Sequence, residues 1–120
     1  MTVPSAPTGR VTIAPRVLTT IVHQTALGVE GVRRLASRLP RRSKLSGRRA
    51  VAPGIEVIVQ DGQVAVTVHV IAEPGTNWVQ MAETLQTEIT RAIEHIVGLG
   101  VTGVDVYIDD VAFAHTGVNP

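Results

Sequence analysis

Apolar residues recur at Trp78, Ala82, Leu85, Ile89, Ala92, Ile93 and Ile96, in alternating steps of four and three. That spacing predicts a long amphipathic helix over Asn77–Val97, because residues three and four apart share one face of a helix with about 3.6 residues per turn. Thr84, Gln86, Thr87, Glu88, Arg91, Glu94 and His95 fall mostly on the other side. Asn77 suits the N-cap, with Gln80 three residues on in a capping-box arrangement. Gly98 stands where a left-handed closing residue is wanted.

A first helix is predicted over Pro15–Leu27. Pro15 fits the opening turn, where its missing N–H would be unpaired anyway. Val17, Leu18, Ile21, Val22 and Leu27 give the apolar side, and Gly28 closes it. Between and around the helices the period changes to two, the signature of strands. Ile55, Val57 and Val59 alternate with Glu56, Ile58 and Gln60. Asp61-Gly62 makes a tight turn, and Val64, Val66, Val68 and Val70 then alternate with Ala65, Thr67, His69 and Ile71. Gly54–Ala72 therefore reads as a hairpin. Val104, Val106 and Ile108 alternating with Asp105, Tyr107 and Asp109 give a last strand, and Arg10–Ile13 a short extended piece. Val29–Ser37 fits helical spacing at Val32, Leu35, Ala36 and Leu39, but Gly31-Val32 directly after a helix end favours a short strand.

Strand, long helix and strand in succession form a βαβ unit, so the last strand is expected parallel to the hairpin's second strand by a right-handed crossover. The expected fold is α+β. It is a two-layer sandwich with a mixed sheet of three or four strands and two helices on the valine face. The other face, carrying Glu56, Thr67, His69, Asp105, Tyr107 and Asp109, is expected open to water or to a partner. One domain spans residues 10–113. Residues 1–9 and 114–120 read as flexible tails, and Arg38–Pro53 as a proline-flanked basic loop.

Composition changes this picture in one respect. The net charge of +1 hides a division of the chain. Residues 1–50 hold ten bases against one acid, Glu30, a balance of +9; residues 51–120 hold nine acids against one base, Arg91, a balance of −8. Such asymmetry suggests a basic patch for an anionic partner, or head-to-tail association of copies. The 120 residues suffice for one domain, which buries roughly two thirds of its unfolded surface. With no cysteine, disulfides, thiolate metal sites and thiol catalysis are excluded. No apolar run approaches the roughly 20 residues of a membrane span. Met1–Arg10 has no apolar signal core, so a cytoplasmic location is expected.

Chemistry-bearing motifs are sparse. His69, Tyr107, Asp105 and Glu56 gather on the open face and would suit acid–base work or a metal; the simpler reading is a solvated face, since no histidine shows a ligand spacing. Gly28-Val29-Glu30-Gly31 has the GxxG spacing of a nucleic-acid clamp, but Glu30 would repel phosphate and Gly28 is explained as a helix closer. The basic segment holds Arg33, Arg34, Arg38, Arg41, Arg42, Lys44, Arg48 and Arg49. It would bind nucleic acid, anionic lipid or an acidic protein, or else act as a solvated loop. Stacking aromatics are missing from the segment, which weakens the single-strand nucleic-acid reading. No hydrolase, P-loop or dinucleotide fingerprint occurs, so neither an enzyme nor a cofactor is expected.

The ordered set of pieces resembles the alkaline shock protein family of bacteria. It comprises Gly9-Arg10-Val11-Thr12-Ile13-Ala14-Pro15 opening the first helix, Val29-Glu30-Gly31-Val32 after it and Gly54-Ile55-Glu56-Val57. Then come the strand Val64–Val70, Gly75-Thr76-Asn77 at the long helix, Gly98-Leu99, and Val104-Asp105-Val106-Tyr107-Ile108. The resemblance covers about residues 9–112. It implies a non-enzymatic cytoplasmic protein of the envelope or general stress response. Some members are recruited to the membrane by a small membrane-anchored partner and self-associate there. It supplies no catalytic residues, and the basic loop Arg38–Pro53 departs from its pattern. The expected partners are therefore other copies of the chain and a membrane-anchored protein; the alternative is an RNA- or anionic-lipid-binding module using residues 33–49.

Overall fold

The computed structural model describes residues 2–3 and 11–113. Most of the sequence expected as tails, at 1, 4–9 and 114–120, lies outside the described residues. Strand β1 (Thr2–Val3) pairs antiparallel with β2 (Val11–Thr12) in a small separate ladder. Helix α1 spans Pro15–Leu27 with proline in its first turn, as expected, and Gly28 follows it. After a turn comes β3 (Val32–Leu35), which resolves the ambiguous stretch as strand. Strand β4 (Arg48–Ala52), β5 (Ile55–Gln60) and β6 (Gln63–Ala72) follow, then helix α2 (Trp78–Ala92) and β7 (Gly100–Val111).

The architecture is α+β, with both helices on one face of a mixed sheet. Strand β6 is its centre. One edge pairs along its whole length with β7, in parallel, as the βαβ reading requires. The other edge is shared end to end: β5 takes Gln63–Val68 and β3 takes Val70–Ala72, both antiparallel. Strand β4 pairs with the far side of β5, Arg48 opposite Val59 and Ala52 opposite Ile55. The valine face expected from the alternation is the core: Val57, Val64, Val66, Val68 and Val70 pack with Leu18, Val22 and Ala26 of α1 and with Leu85 and Ile89 of α2.

The sheet has five strands rather than three or four, because part of the stretch read as a basic loop is strand. Ile55–Val59 are buried on both faces, so their backbone needs a partner on each side. Arg48–Ala52 supplies one, with Arg49 and Ala50–Ala52 half-buried. Charge density concealed the extended conformation.

The long helix holds the second difference. Asn77 caps it as expected, its Oδ1 accepting the Gln80 backbone N–H at 3.1 Å. The buried stripe is Met81, Leu85, Ile89, Ile93 and Val97, whereas Trp78 and Ile96 of the expected stripe are 46% and 67% exposed. Steps of four overshoot a regular turn by about 40° each, so such a stripe drifts around an α-helix. Here the last turn, Ile93–Val97, is a π turn closed by the Gly98 N–H on the Ile93 carbonyl. Its wider winding brings Val97 back onto the core face. Gly98 is left-handed (φ 81°), as the closing position demands.

Gly54 sits where β3, β5 and β6 converge. Its N–H donates to Arg38 O at 2.9 Å, and its carbonyl accepts from His69 N at 2.8 Å. With φ at +75°, and with a Cβ falling 2.9 Å from His69 O and 3.0 Å from Ala36 N, only glycine fits.

The rotated stripe makes a testable contrast. Leu85→Ala should lower unfolding stability by about 3 kcal/mol, as expected for a fully buried leucine, and Trp78→Ala by less than about 1 kcal/mol, both read by urea denaturation.

Candidate functional site

The two candidate surfaces meet. Residues 38–47, between β3 and β4, form a strap across the sheet face opposite the helices. The strap and that face enclose a groove of about 640 Å³. Its roof is Arg38, Pro40, Arg41, Arg42, Ser43 and Leu45; its floor is Glu56, Thr67, His69, Asp105 and Tyr107. The face expected to be open is therefore partly roofed, and the segment expected to be a loop is its roof.

Strand pairing positions the floor. Glu56 of β5, Thr67 of β6 and Asp105 of β7 lie in one row across the sheet, and His69 lies opposite Tyr107 in the next. The His69 and Tyr107 rings stack at 4.7 Å with an interplanar angle of 11°. A register shift follows: Val70 pairs with Ile108 but Ile71 with Asp110, so Asp109 is the additional residue of a bulge. Bulges redirect side chains. Here the Asp109 Oδ1 meets His69 Nδ1 at 3.1 Å, and its Oδ2 lies 3.5 Å from Arg38 Nη2. A carboxylate on Nδ1 holds the neutral imidazole in the tautomer that leaves Nε2 as an acceptor.

Glu56 anchors the strap. Its carboxylate is 3% exposed. It accepts a charge-assisted bond from Arg49 Nε and one from the Ser43 N–H at 3.2 Å. Burial works to raise its pKa. The Arg49 bond, the Ser43 bonds and the Arg49 charge outweigh burial and hold the pKa below the ordinary carboxylate value of 4.5. Arg49 Nη2 also donates to Pro40 O at 3.3 Å, tying the start of the strap to β4.

The basic residues thus divide. Arg33 pairs with Glu73 at 3.6 Å, Arg38 with Asp109, and Arg49 with Glu56. Arg34 lies in β3, exposed and without an ion pair among the described residues. Arg41, Arg42, Lys44 and Arg48 are exposed and have no carboxylate partner among the described residues. Pro40, Ser43 and Leu45 escaped the sequence reading. Its available signal was Ile58 and Ile71, two apolar residues on the supposedly open face; they are 4% and 7% exposed. Ile58 lies under Gly47 of the strap. Among the described residues no group of three or more His, Cys, Asp or Glu is placed to hold a metal ion.

The lowered Glu56 pKa fixes a sign. A carboxylate more acidic folded than unfolded stabilises the fold fully above its unfolded pKa, and that stabilisation disappears as pH falls through the folded value. Glu56→Gln should cost about 2 kcal/mol at pH 7, as expected for uncoupling a buried ion pair with one partly exposed member. The gap from wild type should close as pH falls below 4.5, measured by urea denaturation across a pH series.

The comparisons with known proteins concern the whole fold rather than the groove. The chain is 22% identical over 106 residues to the uncharacterized protein YloU of Bacillus subtilis (strain 168), a match that covers 86% of this chain and 88% of that protein. No solved structure matches significantly. No helix among the described residues is long and apolar enough to cross a membrane. The profile of the alkaline shock protein 23 family, described by a cell envelope-related function, matches residues 4–113. From β2 to β7, this chain belongs to the alkaline shock protein family.

Proposed function

We propose that the protein is a non-enzymatic, self-associating scaffold of the envelope stress response, working on the cytoplasmic side of the membrane beside a small membrane-anchored partner. The family's cell envelope-related function supports the setting. One observation carries the self-association: the sheet has two unpaired outer edges of opposite charge. Among the described residues, strand β4 pairs only with β5 and carries Arg48, and β7 pairs only with β6 and carries Asp105 and Asp110. Free edges present unpaired N–H and C=O groups and are natural docking lines. Charge complementarity makes β4 of one copy the counterpart of β7 of the next. Such a head-to-tail contact does not close on itself and extends into chains.

A second reading rests on the cations of the strap. Arg41, Arg42 and Lys44 project from one short segment without carboxylate partners among the described residues, which suits an anionic lipid surface or RNA.

Sedimentation velocity separates these readings. Association should be strong at low salt and weaken at high salt, because exposed charges are screened within about 10 Å at 0.1 M. Arg48→Glu should dissociate the assembly, and adding Asp110→Arg should restore it by exchanging the charges of the two edges. A protein that stays monomeric at high concentration and low salt defeats the scaffold reading. Salt-sensitive binding to anionic vesicles or RNA, lost on Arg41→Ala with Arg42→Ala, would favour the second.

A further inference from the structure

We propose that the groove beneath the strap is a binding site for a nucleoside monophosphate. The inference rests on the chemistry of the lining and is independent of the sheet-edge association above. The lining of the groove carries unneutralised charge of both signs. Among the described residues, Arg41 and Arg42 at the roof have no carboxylate partner and Asp105 at the floor has no cation. The other charges nearby are already spent on each other, Glu56 with Arg49 and Asp109 with Arg38 and His69. A ligand that fits must be anionic where it meets the arginines and rich in hydrogen-bond donors where it meets Asp105. Two guanidinium groups match the oxygens of a phosphate, and a carboxylate matches vicinal hydroxyls.

The same lining holds a flat ring surface. Tyr107 is 52% exposed although its ring is braced by the stacked His69. A tyrosine left half in water on a strand, with its ring orientation held from beneath, offers a stacking platform for another planar ring. Leu45 and Pro40 extend the apolar lining. His69 is itself held by Asp109 through Nδ1, which leaves Nε2 for a donor on the ligand. A phosphate, a diol and a planar ring together are the chemistry of a mononucleotide, and about 640 Å³ is within the size range of small-molecule sites. The Thr67 hydroxyl adds a further polar contact in the floor. No step of bond making or breaking is implied.

The test is titration of the full chain with AMP, adenosine and inorganic phosphate, followed by amide chemical shifts and calorimetry. AMP should bind with shifts confined to the strap and the adjoining parts of β5, β6 and β7, and should bind about tenfold or more tightly than adenosine or phosphate alone, since each lacks part of the recognised chemistry. Arg41→Ala with Arg42→Ala should reduce AMP affinity toward that of adenosine. Tyr107→Leu should reduce it toward that of phosphate. Arg16→Ala, an exposed arginine of α1 outside the groove, should change it by less than about twofold, as a control for net charge. All three variants lie at exposed positions, and an unchanged melting temperature confirms that each is folded. Equal affinities for AMP and phosphate, shifts scattered over the surface, or no binding of AMP would each overturn the proposal.

Discussion

The backbone of His69 is the point on which the rest of the fold turns. Its N–H is held by Gly54 and its carbonyl by Ala36, so one residue of the central strand secures the end of β3 and the start of β5 together. Two strands can share one edge of β6 only if the chain between them leaves and returns within a single residue's reach. Gly54 makes this possible, because any side chain there would collide with His69 O and with Ala36. The same junction directs residues 38–47 outward over the sheet and brings them back as β4. The strap, the fifth strand and the groove all descend from that shared edge.

Electrostatics then closes the strap. A carboxylate at 3% exposure is unfavourable unless its charge and lone pairs are satisfied, and Glu56 receives both from Arg49 and the Ser43 amide. Arg38 and Asp109 add a more exposed tie at the other end. The separation of charge between the two halves of the chain is therefore partly internal. Three of the basic residues counted toward an outside partner meet acids of the second half, and Arg34, Arg41, Arg42, Lys44 and Arg48 have no carboxylate partner among the described residues.

The helices, the hairpin and the parallel last strand were legible because each has a clean period. Pro15–Leu27 and the valines of β6 declare their geometry by local sequence alone. The misread parts have causes that lie outside local sequence. At its far end the stripe of α2 runs through Val97 rather than Ile96 because the π turn at Ile93–Val97 breaks the α-helical period, whereas Trp78 is exposed in the first turn, ahead of the buried Met81. Strand β4 was hidden because Arg48 and Arg49 look like loop residues until the buried edge of β5 is seen to require a partner. The members of the groove floor were named correctly as one face, but the roof could not be read, since it depends on where Gly54 sends the chain. Ile58 and Ile71 were the visible clue: apolar residues do not alternate onto a solvated face without something above them. The family, by contrast, was legible from the order of short motifs, none of them chemically distinctive.

The strap also differs from the rest of the molecule in how it comes apart. Residues 38–47 have no ladder of their own and rest on a few side-chain ties, whereas β6 is paired on both edges. Segments so held open at lower free energy than the core around them. When the strap lifts, Ile58 meets water, and a sheet face becomes briefly available for clumping. At that moment the lifted segment is strongly cationic and the uncovered face, with Glu56, Asp105 and Asp109, is anionic. The charges that hold the cover down when it is closed keep both surfaces hydrated when it is open. They also draw the cover back onto its own sheet before a neighbouring chain can take its place.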